Sequence, residues 1–393
     1  MSPSIQWIGI RGYRVLKVDL DGPEIEVNAQ VRHAPAQCLR CGSQRLYSKG
    51  PYVRQAAHLE SFGRRSRIRI ECRRYQCRDC RRWFVQPLPG LLKGRHSSEP
   101  FREKVYQLHH QGICGSALAK LMKLGSATVE RIYHQFTVRK ASERTSLTCP
   151  LVLGIDEHTL HKGCRFATTL CDLKNHRVFD VVEGRTPEEL AGYFLKLKGK
   201  DQVKVVCIDL SSSYRALIRR CFPNARIVAD RFHVVRVMLH HFLELFRHIA
   251  PEIKSHRGSL AALRKRPENL SEKQRQRRDQ LLTRYPAMRT LYEKMRELWM
   301  LLGKRCKTKA QCVPLSRQLL ALIEDLRGSG FAALKTLGAT LEGWAKEIAC
   351  MWRFTKNNGI TEGFHRKMKL IQRRAYGFRN FNNYRLRVIA QCG

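Results

Sequence analysis

The sequence contains no long hydrophobic stretch, which argues against a protein with membrane-spanning helices. No apolar run reaches the roughly 18 residues that a membrane-spanning helix needs. The first residues, MSPSIQWIGI, lack the basic-then-apolar layout of a secretory signal. We therefore expect a cytoplasmic protein that has no membrane partner.

Acidic residues are also scarce, which leaves a large positive charge. Asp and Glu number 33 against 74 Lys and Arg, and the formal net charge is +41 over 393 residues. A field of this sign attracts polyanions, and nucleic acid is the first candidate. A ribosomal or nucleoid protein would share the charge, but it would usually be shorter and would lack so many apolar strands.

Fifteen cysteines are many, and in a cytosol they serve as thiols or metal ligands and not as a disulfide framework. Two C-x-x-C knuckles lie on either side of residues 42–76, a longer interval than zinc ribbons usually have. Two such knuckles can complete one tetrahedral Zn²⁺ site. His58 is the competing ligand, whereas Cys72 ends an alternating run and is expected to be a buried strand residue. The predicted structural zinc ligands are Cys38, Cys41, Cys77 and Cys80.

Arginine and aromatic residues are mixed around the two knuckles. This combination suits DNA contact, although a solvated basic face around a small zinc core would have the same composition. We assign residues 1–98 to a zinc-binding DNA-recognition module. Its predicted DNA contacts are Arg73, Arg74 and Arg81.

Residues 99–147 predict three short helices separated by glycines. Ser116 and Ser126 are expected to cap the second and third helices. This is a helix-turn-helix layout, although such triplets also occur without DNA binding. The exposed face of the third helix would carry DNA contacts from Thr128, Arg131 and Gln135. The expected core consists of Val105, Leu108, Leu118, Leu121, Leu124, Val129, Ile132, Tyr133 and Phe136.

Residues 148–237 predict a mixed sheet in which acids follow the strands. Apolar runs that precede Asp156, Asp209 and Asp230 read as strands, with an antiparallel pair and a helix between the first and the second. The order strand, strand, strand, helix, strand, helix, strand is that of an RNase H-like fold. Carboxylates at the ends of strands lie where an open α/β sheet places its active site. The alternative is that Asp209 only caps the next helix.

Residues 238–347 predict an all-helical insertion, with helices near 271–284, 287–302, 314–327 and 331–352. Its basic faces are explained equally well by solvation and by contact with the DNA backbone. Residues 348–393 would return to the core. There Asn357, Asn358 and Gly359 would turn the chain, and Asn358 or Thr361 would cap a helix that opens at Glu362. Further along that helix, the predicted DNA contacts are Arg366, Lys369 and Arg373.

The fold class expected from these regions is multidomain α+β. An N-terminal zinc-binding module and a helix-turn-helix precede an RNase H-like α/β catalytic core, which the all-helical insertion interrupts. The core would consist of residues 148–237 and 348–393.

The ordered motifs of the chain resemble those of the DDE transposases of bacterial insertion sequences, in the ISL3 group. The two cysteine knuckles also match, and the resemblance covers nearly the whole chain. The family usually has an Asn after its Glu-Gly pair, whereas Phe364 and His365 stand there in this sequence. The matching stretches are Gly154-Ile-Asp156-Glu157, Ile208-Asp209-Leu-Ser, Ala229-Asp230-Arg-Phe-His-Val234, Asn358-Gly359-Ile-Thr-Glu362-Gly363 and Ala375-Tyr-Gly-Phe-Arg-Asn380.

The resemblance implies that Asp156, Asp209 and Glu362 form a catalytic triad that binds Mg²⁺ or Mn²⁺. Two such ions can activate the attacking oxygen and stabilise the leaving oxygen of a phosphodiester, and Mg²⁺ prefers oxygen ligands. Asp230 and His233 would support the triad. A lone Glu362 among basic residues would otherwise be read as an ion-pair partner.

The implied function is a transposase that binds terminal inverted repeats, cleaves the transposon ends and joins their 3′-hydroxyls to target DNA. Its partners would be both kinds of double-stranded DNA and at least a second copy of the chain, in the bacterial cytosol near the nucleoid. One alternative is a DNA-binding regulator with an inactive nuclease-like core, but such a core would lack an acid. Another is an RNase H-like nuclease acting on RNA or junctions, which would not need the first two modules.

Overall fold

The computed structural model describes residues 8–145, 148–161, 163–354 and 359–393. The chain divides into two compact units, Met1–Arg139 and Lys140–Gly393. The domain boundaries expected from the sequence are finer than this division and stay predictions. Within the described ranges, none of the helices combines the length and the apolar character needed to cross a membrane.

The first unit contains a five-stranded sheet, of which the sequence predicted only the segment 67–72. Strands β2 and β4 pair in parallel, and the other pairs are antiparallel, in the order β1-β2-β4-β3 with β5 beside β4. Alternate residues of β2 and β4 are buried, as expected for a sheet with one face in the core. The strands are β1 (Tyr13–Asp19), β2 (Ile25–Val31), β3 (Leu46–Ser61), β4 (Arg64–Cys77) and β5 (Trp83–Val85).

Three helices follow this sheet, α1 (Glu99–Gln111), α2 (Gly115–Met122) and α3 (Ser126–Arg144). Most of the expected core is buried, but Leu121 is 56% exposed because Leu118, Ala119 and Met122 define the buried face of α2. Both expected serine caps are wrong. Ser116 and Ser126 lie inside helices, and the N-cap of α2 is Cys114.

The second unit is built on a mixed five-stranded sheet with the order β10-β9-β6-β7-β8. The pairs β6/β7 and β7/β8 are antiparallel, whereas β6/β9 and β9/β10 are parallel. The succession of strands and helices expected from the sequence is confirmed. The elements are β6 (Val152–His161), β7 (Arg165–Asp172), β8 (Arg177–Glu183), α4 (Pro187–Lys196), β9 (Val205–Ile208), α5 (Ser212–Cys221) and β10 (Arg226–Ala229).

One strand end was predicted wrongly. Asp156 lies in the middle of β6 and not at its end, because antiparallel pairing with β7 extends from Leu153 to His161. Parallel pairing with β9 stops at Gly154. Asp156 therefore lies just beyond the point where β9 ends, which brings it level with the residue that follows β9.

The remaining helices surround the sheet. The segment 331–352 forms two helices and not one, because the chain leaves the helical conformation at Trp344, directly after Gly343. Short 3₁₀ helices occur at Lys200–Gln202, Pro251–Lys254 and Pro267–Asn269. The α-helices are α6 (Arg231–Ile249), α7 (Arg257–Arg264), α8 (Glu272–Arg284), α9 (Pro286–Gly303), α10 (Lys309–Gly328), α11 (Ala332–Gly343), α12 (Ala345–Arg353), α13 (Gly359–Arg374) and α14 (Phe381–Cys392).

The helical insertion and the sheet share one hydrophobic core. A continuous cluster runs from Val206 and Ile208 of β9, through Phe242 of α6, to Trp352 of α12. The Trp352 indole N–H donates to the Leu301 carbonyl at 3.0 Å. A second cluster on the sheet includes Cys207, Met368 of α13 and Tyr384 of α14. The expected boundary at 237/238 falls inside α6, so the insertion begins as an extension of the sheet's own packing.

Candidate functional site

The four cysteines of the two knuckles converge in the first unit. Their Sγ atoms all lie within 4.8 Å of one another, with 3.6 Å between Cys38 and Cys80 and 3.6 Å between Cys41 and Cys77. Tetrahedral ligands about 2.3 Å from a Zn²⁺ ion lie roughly 3.8 Å apart. The sulfur separations therefore fit one zinc ion, and the prediction of four sulfur ligands gains direct geometric support.

The β3–β4 hairpin explains the long interval between the knuckles. Residue Leu46, at the start of β3, pairs with Cys77 at the end of β4. The hairpin therefore returns the chain to the first knuckle after its turn at Phe62 and Gly63, which both have positive φ. Each knuckle closes on a left-handed residue directly after its second cysteine, Gly42 with φ of 73° and Arg81 with φ of 55°.

The knuckle backbones favour thiolates. The backbone N–H groups of Cys80 and Asp79 hydrogen-bond the Cys77 sulfur, and they lower the pKa of Cys77 to about 6. The N–H of Ser43 acts in the same direction on Cys41, but burial and the neighbouring sulfurs raise the pKa of Cys41 to about 12. Four sulfurs this close cannot all ionise without a cation, and a bound Zn²⁺ supplies the missing charge.

The two other candidates near this site do not join it. The Cys72 sulfur donates to the Tyr52 carbonyl at 3.1 Å and is buried in β4, as expected. His58 is also buried, and its ring nitrogens hydrogen-bond Ser98 Oγ at 2.7 Å and the Ile8 carbonyl at 2.9 Å. The histidine therefore supports the sheet and is not a ligand.

Four carboxylates gather on the mixed sheet of the second unit. Asp156 lies on β6, Asp209 directly follows β9, Asp230 directly follows β10, and Glu362 lies in the first turn of α13. Within the described ranges, the cysteine group is the one whose potential ligand atoms all lie within 4.8 Å. The four acids lie in the same region of the sheet, but their carboxylate oxygens do not all lie within 4.8 Å of one another.

The electrostatics of Asp156 report this convergence. Its pKa is raised to about 7, mainly by burial and also by the nearby charges of Asp230, Asp209 and Glu362, against a hydrogen bond from the Glu157 N–H that lowers it. Burial also raises the pKa of Asp209, which Arg236 opposes. Carboxylates that are buried beside one another are poised to accept a cation.

The second acid is available for such a role because it does not cap α5. The Ser211 side chain accepts a hydrogen bond from the Tyr214 N–H at 3.3 Å and is the N-cap. The prediction for α13 was less accurate. The helix begins at Gly359 and not at Glu362, so Thr361 lies buried within its first turn and is not the cap. Asn357 and Asn358 fall outside the described residues.

A chain of polar groups beneath Asp156 was not foreseen from the sequence. His365 Nδ1 lies 3.7 Å from Asp156 Oδ2, and its Nε2 lies 3.0 Å from Thr169 Oγ1. Thr169 in turn lies 3.0 Å from His158 Nδ1, and His158 Nε2 lies 2.8 Å from the Tyr384 hydroxyl. His365 lies in the stretch after Glu362-Gly363, where the family usually has an Asn. This departure from the family motif was the sequence signal that could have indicated a local role for His365.

Asp230, one of the four gathered carboxylates, lies beside His233. Asp230 is fully buried as the N-cap residue of α6, and its Oδ2 lies 3.7 Å from His233 Nε2. His233 Nδ1 lies 3.0 Å from an Arg236 Nη2. Burial and, to a smaller extent, the charge of Arg236 lower the pKa of His233 to about 4. The neutral imidazole thus links a buried carboxylate to an exposed guanidinium.

The side chains predicted to contact DNA lie mostly on the surface. Thr128 is partly exposed, and the amide oxygen of Gln135 accepts a hydrogen bond from the buried Arg102. The Arg74 guanidinium lies over the Tyr52 ring, 4.6 Å from its centroid. The exposed members of the set are Arg73, Arg74, Arg81, Arg131, Gln135, Arg366, Lys369 and Arg373.

Comparisons with known proteins agree with this pairing of a thiolate cluster and a carboxylate cluster. A transposase family of the ISL3 group matches residues 153–388. A second family, the zinc-finger of transposase IS204/IS1001/IS1096/IS1165, matches residues 34–80. The transposase for insertion sequence element IS1001 from Bordetella parapertussis is 28% identical over 97% of this chain and 96% of its own length.

These findings define a transposase with an N-terminal zinc ribbon, a class of enzyme that cleaves DNA and transfers its strands. More particularly, the chain belongs to the ISL3 family of insertion-sequence transposases, as the sequence motifs implied. The zinc-ribbon match and the four-cysteine cluster together support a structural zinc.

Proposed function

We propose that this chain is a DDE-type transposase that binds the terminal inverted repeats of its element, cleaves the ends and joins their 3′-hydroxyls to target DNA. The observation that carries the proposal is the convergence of Asp156, Asp209 and Glu362. They come from separate segments, and the charges of the other two raise the pKa of Asp156.

The order of the strands supports an RNase H-like core. An antiparallel run of three strands, β6, β7 and β8, is extended on the β6 side by the parallel strands β9 and β10. The first two acids lie on or directly after the neighbouring strands β6 and β9, and α13 supplies the third. This arrangement lets one sheet edge and one helix present carboxylates to the same phosphodiester.

The donor set fits Mg²⁺ or Mn²⁺, which prefer carboxylate oxygens and water. When bound, such ions activate the attacking water or hydroxyl and stabilise the leaving oxygen. The chain's own residues hold the site. Asp156 and Asp209 are fixed by the sheet, and His365 and Thr169 restrict the orientation of Asp156. Asp230 and His233 would stabilise the arrangement without contacting the phosphate.

The first unit would recognise the inverted repeats. Its zinc ribbon presents Arg73, Arg74 and Arg81 on the surface, and α1 to α3 support a helix-turn-helix in which α3 presents Arg131. Because many Lys and Arg side chains would contact phosphates, the affinity for DNA should fall steeply as the salt concentration rises. Because both ends of an element must be cut together, at least a dimer is expected.

The test is a cleavage assay on an inverted-repeat duplex, taken from the DNA that flanks the gene, with Mg²⁺ or Mn²⁺. The variants Asp156→Asn, Asp209→Asn and Glu362→Gln each remove one charge and keep the shape. We expect each to lose at least about a hundred- to a thousandfold in rate while binding DNA as well as the wild type. Asp230→Asn should slow cleavage without abolishing it.

An exposed carboxylate provides the matched control. Glu183 ends β8 on the same sheet, is exposed and pairs with Arg165, and it is not among the groups that act on Asp156 or Asp209. Glu183→Gln should therefore cleave normally. Robust cleavage by Glu362→Gln would remove Glu362 from the triad and would overturn the proposal in its present form.

A further inference from the structure

A cleft in the second unit has no part in the function described so far. It has a volume of about 640 Å³, and its walls come from the first turns of α6, from α7 with the residues after it, and from the end of α9. This size lies within the range of about 300–1,000 Å³ that is usual for small-ligand sites. The cleft is therefore large enough for a nucleotide-sized ligand.

One wall is a partly buried face of α6. Phe232, Val235 and Leu239 line the cleft at helical spacing. Their spacing is that of a core stripe, yet Phe232 is 47% exposed. The half-buried Trp299 of α9 contributes a second aromatic surface. Flat apolar surfaces open to solvent are suited to stacking against a ring.

The rim of the cleft is basic. Arg236, Arg264 and Arg266 line it and are exposed, and the Arg266 guanidinium lies 5.9 Å from the Trp299 ring centroid. No Asp or Glu is among the residues that line it. An apolar floor with a cationic rim complements a ligand that has a flat ring and an anionic group, and a protein segment without acidic residues would gain nothing from the rim.

The cleft also adjoins the acid cluster. Arg231, which lines the cleft, directly follows Asp230 in the chain, and Arg231 is held by the carbonyls of Lys304 and Met351 at 3.2 and 3.4 Å. Arg236 lines the cleft and also acts on the charge of Asp209. A DNA strand whose phosphate lies at the acids would need only a short path to enter the cleft.

We infer that this cleft binds an unpaired nucleotide of the DNA strand next to the cleavage site. The base would stack on Phe232 and Trp299, and the adjoining phosphates would contact Arg236, Arg264 and Arg266. Stacking of a base on an aromatic side chain tolerates any sequence because every base has a π-face. The inference rests on the proposed function in taking DNA as the substrate and the acid cluster as the place of cleavage.

The experiment compares two DNA probes bound to the full-length, zinc-loaded chain in the absence of Mg²⁺ and Mn²⁺, so that no cleavage is needed. One probe is a blunt duplex, and the other carries a short single-stranded extension. The wild type should bind the extended probe about tenfold more tightly. Phe232→Ala should remove this preference and keep affinity for the blunt duplex.

Matched substitutions elsewhere in the helical insertion provide the controls. Phe331 is 41% exposed and does not line the cleft, so Phe331→Ala should keep the full preference. Arg264→Ala should reduce it, whereas Arg317→Ala, which removes an exposed arginine on α10, should not. Trp299→Phe should retain more of the preference than Trp299→Ala.

Cross-linking locates the base directly. An extension that contains 5-iododeoxyuridine should, after irradiation, attach to peptides that contain Phe232 or Trp299, as read by mass spectrometry. Equal wild-type affinity for the two probes, full preference in Phe232→Ala, or cross-links confined to other peptides would each overturn the inference. Cleavage by the acid variants is measured separately, so failure of the catalytic proposal is distinguishable from failure of this one.

Discussion

The cysteine cluster of the first unit and the acid cluster of the second unit reach their geometry by different routes. The cysteines belong to two short knuckles whose own backbone N–H groups bond the sulfurs. Their Sγ atoms lie within 4.8 Å of one another. The acids come from β6, from the residue after β9 and from α13, and burial, not hydrogen bonding, dominates the pKa of Asp156.

This difference indicates which interactions stabilise each cluster in the folded protein. The thiolate site is encoded in local turns, and its metal contributes folding free energy to a unit that would otherwise hold four close sulfurs. The carboxylate site is imposed by the topology of a sheet that is stabilised elsewhere, through the shared hydrophobic core. In the absence of metal, its like charges oppose folding.

The largest effect expected from this contrast is the loss of zinc. Cys77 is fully buried and is the cysteine whose thiolate the knuckle backbone stabilises most clearly. Cys77→Ser should release the zinc, and because structural zinc sites contribute about 10–16 kcal/mol to folding, residues 8–98 should lose protection from hydrogen exchange. Metal analysis and exchange mass spectrometry of the purified protein check both outcomes.

Cys72 is the matched control, since it is buried in the same sheet but lies outside the cluster. Cys72→Ser should retain one zinc per chain even where it costs stability. Zinc release by Cys72→Ser, or full retention by Cys77→Ser, would contradict the four-sulfur assignment.

Substitution in the acid cluster should have the opposite effect on stability: removal of one charge should stabilise the metal-free second unit. Burial and the neighbouring carboxylates raise the pKa of the Asp156 carboxyl group to about 7. Asp156→Asn removes the negative charge that this group would otherwise carry in a buried position. In the absence of added divalent ions at pH 8, the substitution should stabilise the second unit by about 2 kcal/mol. Calorimetry should detect this as a rise of about 5 °C in the melting temperature of that unit.

A buried carboxylate that is paired with an arginine tests whether this stabilisation is specific to the acid cluster. Asp180 accepts two hydrogen bonds from Arg385, at 2.6 and 2.7 Å, and one from the Tyr193 hydroxyl at 2.9 Å. Asp180→Asn should therefore destabilise the same unit, since it leaves Arg385 without its counter-charge. If Asp156→Asn also destabilises the metal-free protein, the acids do not repel one another as inferred.

The same contrast explains how far the sequence alone could lead. The C-x-x-C spacing predicted a local site correctly, and alternating or continuous apolar runs predicted the five strands of the second unit. The first unit's sheet was largely missed because β2 and β4 pair in parallel across intervening residues, and no local signal encodes that pairing. The end of β6 was misplaced for the same reason, since its extension depends on β7.

The helices show a related limit. The sequence Thr186-Pro187-Glu188-Glu189 predicts a capping box at the start of α4, and the Thr186 side chain and Glu189 form it. Ser116 does not act as a cap because α2 starts at Gly115 with Cys114 as its N-cap, so Ser116 lies inside the first turn. Phe232, Val235 and Leu239 of α6 recur at the helical spacing that predicts a buried face, yet Phe232 lines a cleft. Periodicity does not distinguish a core from a cleft.

The smallest expected effect concerns His58, the rejected ligand of the first site. Burial lowers its pKa below the ordinary 6.5, although its bond to the Ile8 carbonyl acts in the other direction. The folded state therefore favours neutral His58, whereas the unfolded chain takes up a proton near pH 6.5. Stability from this group is fully present above that value and is lost as the pH falls below it.

The substitution His58→Gln should leave one zinc per chain and should weaken the loss of stability between pH 8 and pH 5.5. Urea unfolding, followed by pulsed hydrogen exchange on peptides of β3 and β4 at one labelling pH, measures that loss in both proteins. Protonation of the cysteines affects wild type and variant alike, so the difference between them isolates His58. A variant that loses zinc would return His58 to the ligand set, and one that loses as much stability as the wild type would show that the histidine is not held neutral by the fold.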